Sequence, residues 1–261
     1  MYELHILRLT KQVFGLSKAL IFLSGLPLVL ITSKNRTAYW MMGECKAKIE
    51  DRIVVFRHID VRFLDEIVIR RCYNPSQFVD IAEDSVVIDA GANIGIFTLY
   101  AGIRAMNGRV YSIEPERTNF LLLKENIEAN NLSNVHLINA ALSDVSGNIK
   151  LFTSNPGSNS IIQPFRSNAN FQLCKSITME DLLQSLSIDH VDILKMDVEG
   201  AEYGIFTKSS WLSKVKNIVM EVHPALGDRK NLITTLRNAG FHIFERESYD
   251  EDTIYLYAVR N

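Results

Sequence analysis

The chain has 261 residues, 47% of them hydrophobic and 22% charged, with a formal net charge of −2 at pH 7. That is room for one large α/β domain and a lead-in segment, with no clustered basic surface of the kind that nucleic-acid binding needs. Three widely spaced cysteines without a C-x-x-C pair (Cys45, Cys72 and Cys174) argue against a disulfide framework and a zinc site and fit reduced thiols in a cytoplasmic protein.

Residues 13–32 contain an apolar run, Ala19 to Ile31, preceded by Arg8, Lys11 and Lys18 and followed by Lys34 and Arg36. A spanning helix needs about 20 apolar residues. Lys18 interrupts early, and Gly25 and Pro27 break or kink a helix. Basic residues on both sides set no orientation, and no A-x-A-like cleavage site follows. The leading expectation is a helix packed on the domain or on a second subunit. Peripheral membrane contact through residues 13–32 comes second, which would make the protein membrane-associated, and a true span comes last.

Ile53 to Phe56 reads as a short strand. Asp60 is a candidate N-cap for a helix over Val61 to Tyr73, with Phe63, Leu64, Ile67 and Val68 on one side. Asn74-Pro75 stops it. Residues 1–75 are therefore expected to form a helical and strand lead-in, and residues 76–261 the main domain. Tyr73, at the junction, is a candidate for the site wall, with a packed aromatic as the simpler reading.

Val86 to Tyr100 reads V-V-I-D-A-G-A-N-I-G-I-F-T-L-Y. A β-branched run ends at Asp89, Gly91 and Gly95 bracket a tight turn, and a helix follows. This is how open α/β sheets receive nucleotide-like cofactors at the carboxyl edge of their strands. Asn93 stands where a second glycine would let a pyrophosphate approach, which argues against NAD and for a cofactor without a diphosphate. The pattern continues as strand Val110–Glu114, helix Arg117–Asn130 and strand Val135–Asn139. Asn148 to Thr153 reads as one strand, and 154–170 as a long lid or binding loop. Then come helix Met179–Leu186 capped by Thr178, strand Val191–Asp197, and a helix turning out of Val198–Glu202 toward Lys208. Strand Asn217–Val222, His223-Pro224, helix Asp228–Asn238 closed by Gly240, and strands Phe241–Phe244 and Ile254–Ala258 complete the chain.

The parallel strands end in Asp89, Glu114, Asn139, Asp197, and then Glu221 and His223. Polar groups converging on one edge of an apolar sheet have the form of an α/β active site. Glu114 is placed to accept ribose hydroxyls, with a helix-capping role as the plainer alternative. Asn139 is placed to read an adenine edge, with Ala140 leaving room for the ring, although Asn is also a good turn residue.

With V-V-I-D-A-G-A-N-I-G at 86–95, S-I-E-P-E at 112–116 and D-I-L-K-M-D-V-E-G-A-E at 192–202, the chain resembles the FkbM family of S-adenosylmethionine-dependent methyltransferases from about Tyr73 to Pro224. The resemblance implies an α/β, Rossmann-like class I methyltransferase fold. Its seven-stranded, mostly parallel sheet would have an antiparallel last strand, helices on both faces and the helical lead-in before it. It implies S-adenosyl-L-methionine as cofactor and O-methylation of a hydroxyl on a sugar, glycolipid or natural-product-like small molecule. Asp89 and Gly91 would lie near the methionine part, within a turn that also includes Asn93 and Gly95. Glu114 would hold the ribose, Asn139 and Ala140 would flank the adenine, and Asp197 and Glu199 would lie near the transferred methyl.

Methyl transfer from a sulfonium mainly needs alignment, and a base adds roughly 10²- to 10⁴-fold. Asp197 and His223 are the candidate bases, and Lys195 is expected to pair with an acidic neighbour. A divalent cation held by Asp197, Glu199, Glu221 and His223 is a lesser reading, and no metal is assigned. The alternatives are a non-catalytic S-adenosylmethionine-binding or regulatory protein of the same fold, and a nucleotide-dependent oxidoreductase. Nucleic-acid methylation is not expected, because the charge is wrong and no N-P-P-Y-like segment is present.

Overall fold

The computed structural model describes residues 45–49, 52–56, 72–73, 79–155, 158–162, 170–248 and 253–260. The readings for residues 13–32 and for the helix over 61–73 lie outside these, apart from Cys72 and Tyr73, which occupy a turn. Among the described residues, no helix is long and apolar enough to cross a membrane. Strands β1 (Cys45–Ile49) and β2 (Arg52–Phe56) pair antiparallel as a separate sheet.

The main sheet begins with β3 (Val86–Ala90), α1 (Ile96–Arg104), β4 (Arg109–Ile113), α2 (Arg117–Ala129) and β5 (Val135–Ile138). A second excursion follows, built from β6 (Ala141–Leu142), β7 (Gly147–Asn155), β8 (Ser158–Ser160) and β9 (Asn170–Ile177). The chain returns through α3 (Met179–Ser185), β10 (Val191–Met196), α4 (Glu202–Ile205), β11 (Val215–Val222), α5 (Arg229–Asn238), β12 (His242–Glu247) and β13 (Ile254–Val259). The seven-stranded order is β12-β13-β11-β10-β3-β4-β5. All neighbours are parallel except β13, which runs antiparallel to both β11 and β12.

Apolar runs such as V-V-I and V-D-I-L make such a sheet because successive residues face opposite layers, and both layers are covered. Val87, Val110, Ile193 and Val219 pack with Phe97 and Ala101 of α1. Their neighbours Ile88, Tyr111, Leu194 and Ile218 pack with Met179 and Leu182 of α3 and Leu232 and Leu236 of α5. Helix starts are fixed by side-chain caps. Glu116 accepts from the Asn119 N–H, Thr178 from Asp181 and Asp228 from Asn231. The cap of α2 is thus Glu116, which frees Glu114 for the strand edge.

Two expectations change. Of the stretch 154–170 read as a long loop, the described residues 154–155, 158–160 and 170 are strand, within a four-stranded layer ordered β6-β9-β7-β8. Strand β9 alternates in the reverse of the usual sense. Phe171 and Leu173 are exposed, whereas Gln172 and Ser176 are more enclosed. Its period of two holds, and antiparallel pairing with β7 decides the structure. The helix expected to turn out of Val198–Glu202 and run toward Lys208 starts at Glu202 and ends at Ile205, and Glu199 and Gly200 before it have φ of 52° and 98°. Two consecutive left-handed residues cannot begin a right-handed helix.

The strand order reverses beside β3, where the chain runs outward through β4 and β5 and then crosses to β10. Crevices of open α/β sheets form at such a switch point, outside the carboxyl ends of the strands.

Candidate functional site

The turn after β3 is built on left-handed residues, with φ of 75° at Gly91, 52° at Asn93 and 89° at Gly95. Gly91 is required for a second reason. A Cβ there would stand 1.7 Å from the Asp197 carbonyl oxygen, because the turns after β3 and β10 touch backbone to backbone. The Asp197 N–H donates to the Ala90 carbonyl at 3.0 Å, and the Gly91 and Ala92 N–H groups both donate to Ile113. The three strand ends are thereby fixed relative to one another.

They surround a cavity whose polar wall includes Gly91, Asn93, Glu114, Asn119, Asp197 and Glu199. Leu142, Leu151 and Ile161 from the second layer supply an apolar cover. Glu114 is buried, and each carboxylate oxygen takes one backbone N–H: Oε2 from Asn93 at 2.8 Å and Oε1 from Glu116 at 2.9 Å. Each oxygen keeps acceptor capacity toward the cavity. Burial raises the Glu114 pKa to about 7, outweighing those two N–H groups, which lower it. Asn93 Oδ1 is buried without a hydrogen-bond partner in this wall. An orphaned acceptor beside a carboxylate with spare lone pairs suits a ligand carrying several hydroxyl or amino donors, as an adenosyl cofactor does.

Beneath the cavity lies a buried polar knot. Asp89 Oδ2 accepts from Thr98 at 2.6 Å, and Asp89 Oδ1 lies 3.2 Å from Lys195 Nζ. Lys195 Nζ also donates to the Gly91 carbonyl at 2.7 Å. Burial acts to lower the Lys195 pKa, but Asp89, and to a lesser degree Asp197 and Glu114, raise it overall. Lys195 pairs with an acid, as its position suggested, and holds the glycine turn as well.

On the other wall, His223 sits between two glutamates. Its Nε2 lies 3.3 Å from Glu199 Oε2 and its Nδ1 3.2 Å from Glu202 Oε1. Burial opposes the charged imidazolium, yet hydrogen bonds with Glu199 and Glu202 push the His223 pKa up to about 11. The side chain is a fixed cation at neutral pH and has no basicity to offer an acceptor hydroxyl. Asp197, Glu199 and His223 bring ligand-type atoms within 4.8 Å of one another. No metal is assigned to this cluster.

Of the residues nominated from sequence, Gly91, Asn93, Glu114, Asp197 and Glu199 meet in the cavity wall. Asp89 lies beneath that wall, Gly95 begins α1, and His223 stands behind Glu199. Asn139 is exposed and spends its amide N–H groups on the Glu114 and Pro115 carbonyls, while Ala140 is buried beside it. Asn139 supports the Glu114 turn, and neither residue lines the cavity. Asn119 and Glu202 were not nominated. Glu202 is fully buried and accepts from Gly200, His223 N and His223 Nδ1, and its signal was the second acid of V-E-G-A-E. Tyr73 is more than a packed aromatic, since its hydroxyl contacts Asp197 Oδ2 at 3.1 Å and Glu221 Oε2 at 2.8 Å.

Residues 89–243 match the model of the methyltransferase FkbM domain. Methyltransferase 1 of Beauveria bassiana is 26% identical over 76% of this chain and 88% of its own length. The 31-O-demethyl-FK506 methyltransferase FkbM of Streptomyces tacrolimicus is 24% identical over 68% of this chain and 80% of its own. The hexuronic acid methyltransferase AglP of Haloferax volcanii is 28% identical over 60% of this chain and 63% of its own.

Proposed function

This chain belongs to the FkbM methyltransferase family, and from that membership we propose that it methylates a hydroxyl oxygen of a saccharide, glycolipid or natural-product-like acceptor, using S-adenosylmethionine, with Asp197 as the base. The observation that carries the choice of base is the pairing of His223 with Glu199 and Glu202. Of the two candidate bases, it leaves Asp197, which lines the cavity.

The cofactor supplies an activated methyl group on a sulfonium. Glu114 accepts hydroxyl donors of its ribose, and Asn93 Oδ1 accepts a further N–H or O–H donor. Gly91 keeps the wall thin where the two turns touch. Asp197, with Glu199 beside it, faces the acceptor and takes its proton as the new bond forms. The apolar cover from Leu142, Leu151 and Ile161 excludes water, which would otherwise compete as the acceptor. The relatives named for FK506 and for a hexuronic acid support an oxygen-bearing small-molecule or saccharide acceptor.

The full chain, given S-adenosyl-[methyl-³H]methionine and a panel of pyranosides, macrolactone polyols and glycolipids, is expected to form a labelled methyl ether. Asp197→Asn should lose roughly 10²-fold or more in turnover while still binding S-adenosylmethionine. Binding without transfer to any acceptor would instead establish the non-catalytic reading.

A further inference from the structure

Tyr73 lies far from the rest of the site in sequence and is 3% exposed. Its ring meets Phe97 edge-on at 6.2 Å and Tyr255 at 5.6 Å, and Lys195 Nζ stands 5.0 Å from the ring centroid. The neighbouring Cys72 carbonyl accepts from the buried Tyr257 hydroxyl at 2.8 Å. Ring and backbone are therefore both pinned, so the hydroxyl position is fixed by packing. It is fixed between two carboxylates, Asp197 at 3.1 Å and Glu221 at 2.8 Å. A phenol has one hydrogen to donate. It can satisfy one carboxylate fully, or alternate between the two.

We propose that Tyr73 is a positioning residue that shares its single hydrogen between Asp197 and Glu221, holding the base in place and passing on the proton it collects. This rests on the reading of Asp197 as the base. As the acceptor oxygen bonds to the methyl carbon, the methyl–sulfur electron pair stays with sulfur and the acceptor O–H proton moves to Asp197. Asp197 then donates that proton to the Tyr73 oxygen while the phenolic hydrogen moves to Glu221. The trio returns to its starting state when Glu221, which is only partly buried, releases one proton to water. No other reactant is needed. Among the described residues, the charged groups around the trio include Lys195 over the Tyr73 ring, Glu199 and the His223 cation beside Asp197, Glu202 behind His223, and Arg246 over the Tyr255 ring.

The experiment uses the full chain labelled with [4-¹³C]tyrosine, the Tyr73 resonance being assigned by its loss in Tyr73→Phe. The buried Tyr111 and Tyr257 report an intact fold. Asp197→Ala and Glu221→Ala should each move the Tyr73 signal part of the way toward an unbonded phenol, and the double variant the rest. If either single variant moves it all the way, the hydrogen is not shared and the proposal falls. On the acceptor turned over in the labelled-methyl assay, Tyr73→Phe should lower kcat roughly tenfold, less than loss of the base itself. The KM for S-adenosylmethionine should stay unchanged. Full kcat in Tyr73→Phe alongside a crippled Asp197→Asn overturns this proposal alone. Full kcat in Asp197→Asn overturns the base reading beneath it.

Discussion

Glu202 Oε1 accepts both the backbone N–H and the imidazole Nδ1 of one residue, His223, at 2.9 and 3.2 Å. Glu202 is fully buried, so this double hold sets the ring orientation and keeps it charged. In ¹H–¹⁵N spectra His223 should therefore remain an imidazolium from pH 6 to pH 9. Folding raises its pKa from 6.5 to about 11, so the folded state holds the extra proton. The stability from this group is complete below pH 6.5 and is lost progressively as pH rises toward 11. Glu202→Gln should flatten that slope in denaturation series between pH 7 and 10. An imidazole that titrates near 6.5 in the folded protein would refute the assignment.

Glu114 acts in the same direction over a lower pH window. Burial raises its pKa from 4.5 to about 7, so the folded state again binds the extra proton, and this group's contribution to stability falls as pH rises from 4.5 to 7. Only the ionised carboxylate accepts ribose hydroxyls through both oxygens. Calorimetric affinity for S-adenosylmethionine should rise as pH increases through 7 and then level off. Glu114→Gln should bind roughly ten- to a hundredfold more weakly, as expected for about 1.5–3 kcal/mol of charge-assisted hydrogen bonding, and should lose the pH dependence.

Lys195 and Asp89 form an ion pair whose side chains are 4% and 0% exposed. Lys195→Met should destabilise the fold by about 3–5 kcal/mol, because Asp89 is left buried and uncompensated. For a chain of this size that corresponds to a fall in Tm of roughly 10 °C in calorimetry. Thr98→Val, which removes a neutral donor to Asp89, should cost less, about 1–3 kcal/mol. A Lys195→Met protein as stable as the parent would refute this role of the Lys195–Asp89 pair.

Gly91→Ala meets two penalties together, a left-handed φ of 75° and a Cβ 1.7 Å from the Asp197 carbonyl oxygen. The conformation alone costs about 1–2 kcal/mol. The clash must also displace the turn that carries Asp197, so the folded remainder should have lost S-adenosylmethionine binding in calorimetry. Gly147→Ala is the control. It has φ of 146° and nothing within 4 Å, so it should show a modest Tm loss and unchanged binding.

Much of this protein was legible in the sequence because its information is local. Hydrophobic period and length identify the strands, Thr178 and Asp228 mark helix starts, and the glycine turn with Glu114 and Asp197 falls at strand ends that parallel topology brings to one edge. The reversed alternation of Phe171 and Leu173 hid β9, since its burial depends on which layer it pairs with and not on its own pattern. Residue type alone left Asp197 and His223 equal as bases. Tertiary structure sets His223 between two carboxylates and Asp197 against the cavity, and our reading of Asp197 as the base rests on that difference. The same holds for Tyr73, which stands 124 and 148 residues from the two acids it touches. The sequence by itself determined the family, the alternation of strands and helices and the row of polar strand ends. Which of those groups hold a proton, and which merely hold each other, was decided only when the chain folded them into contact.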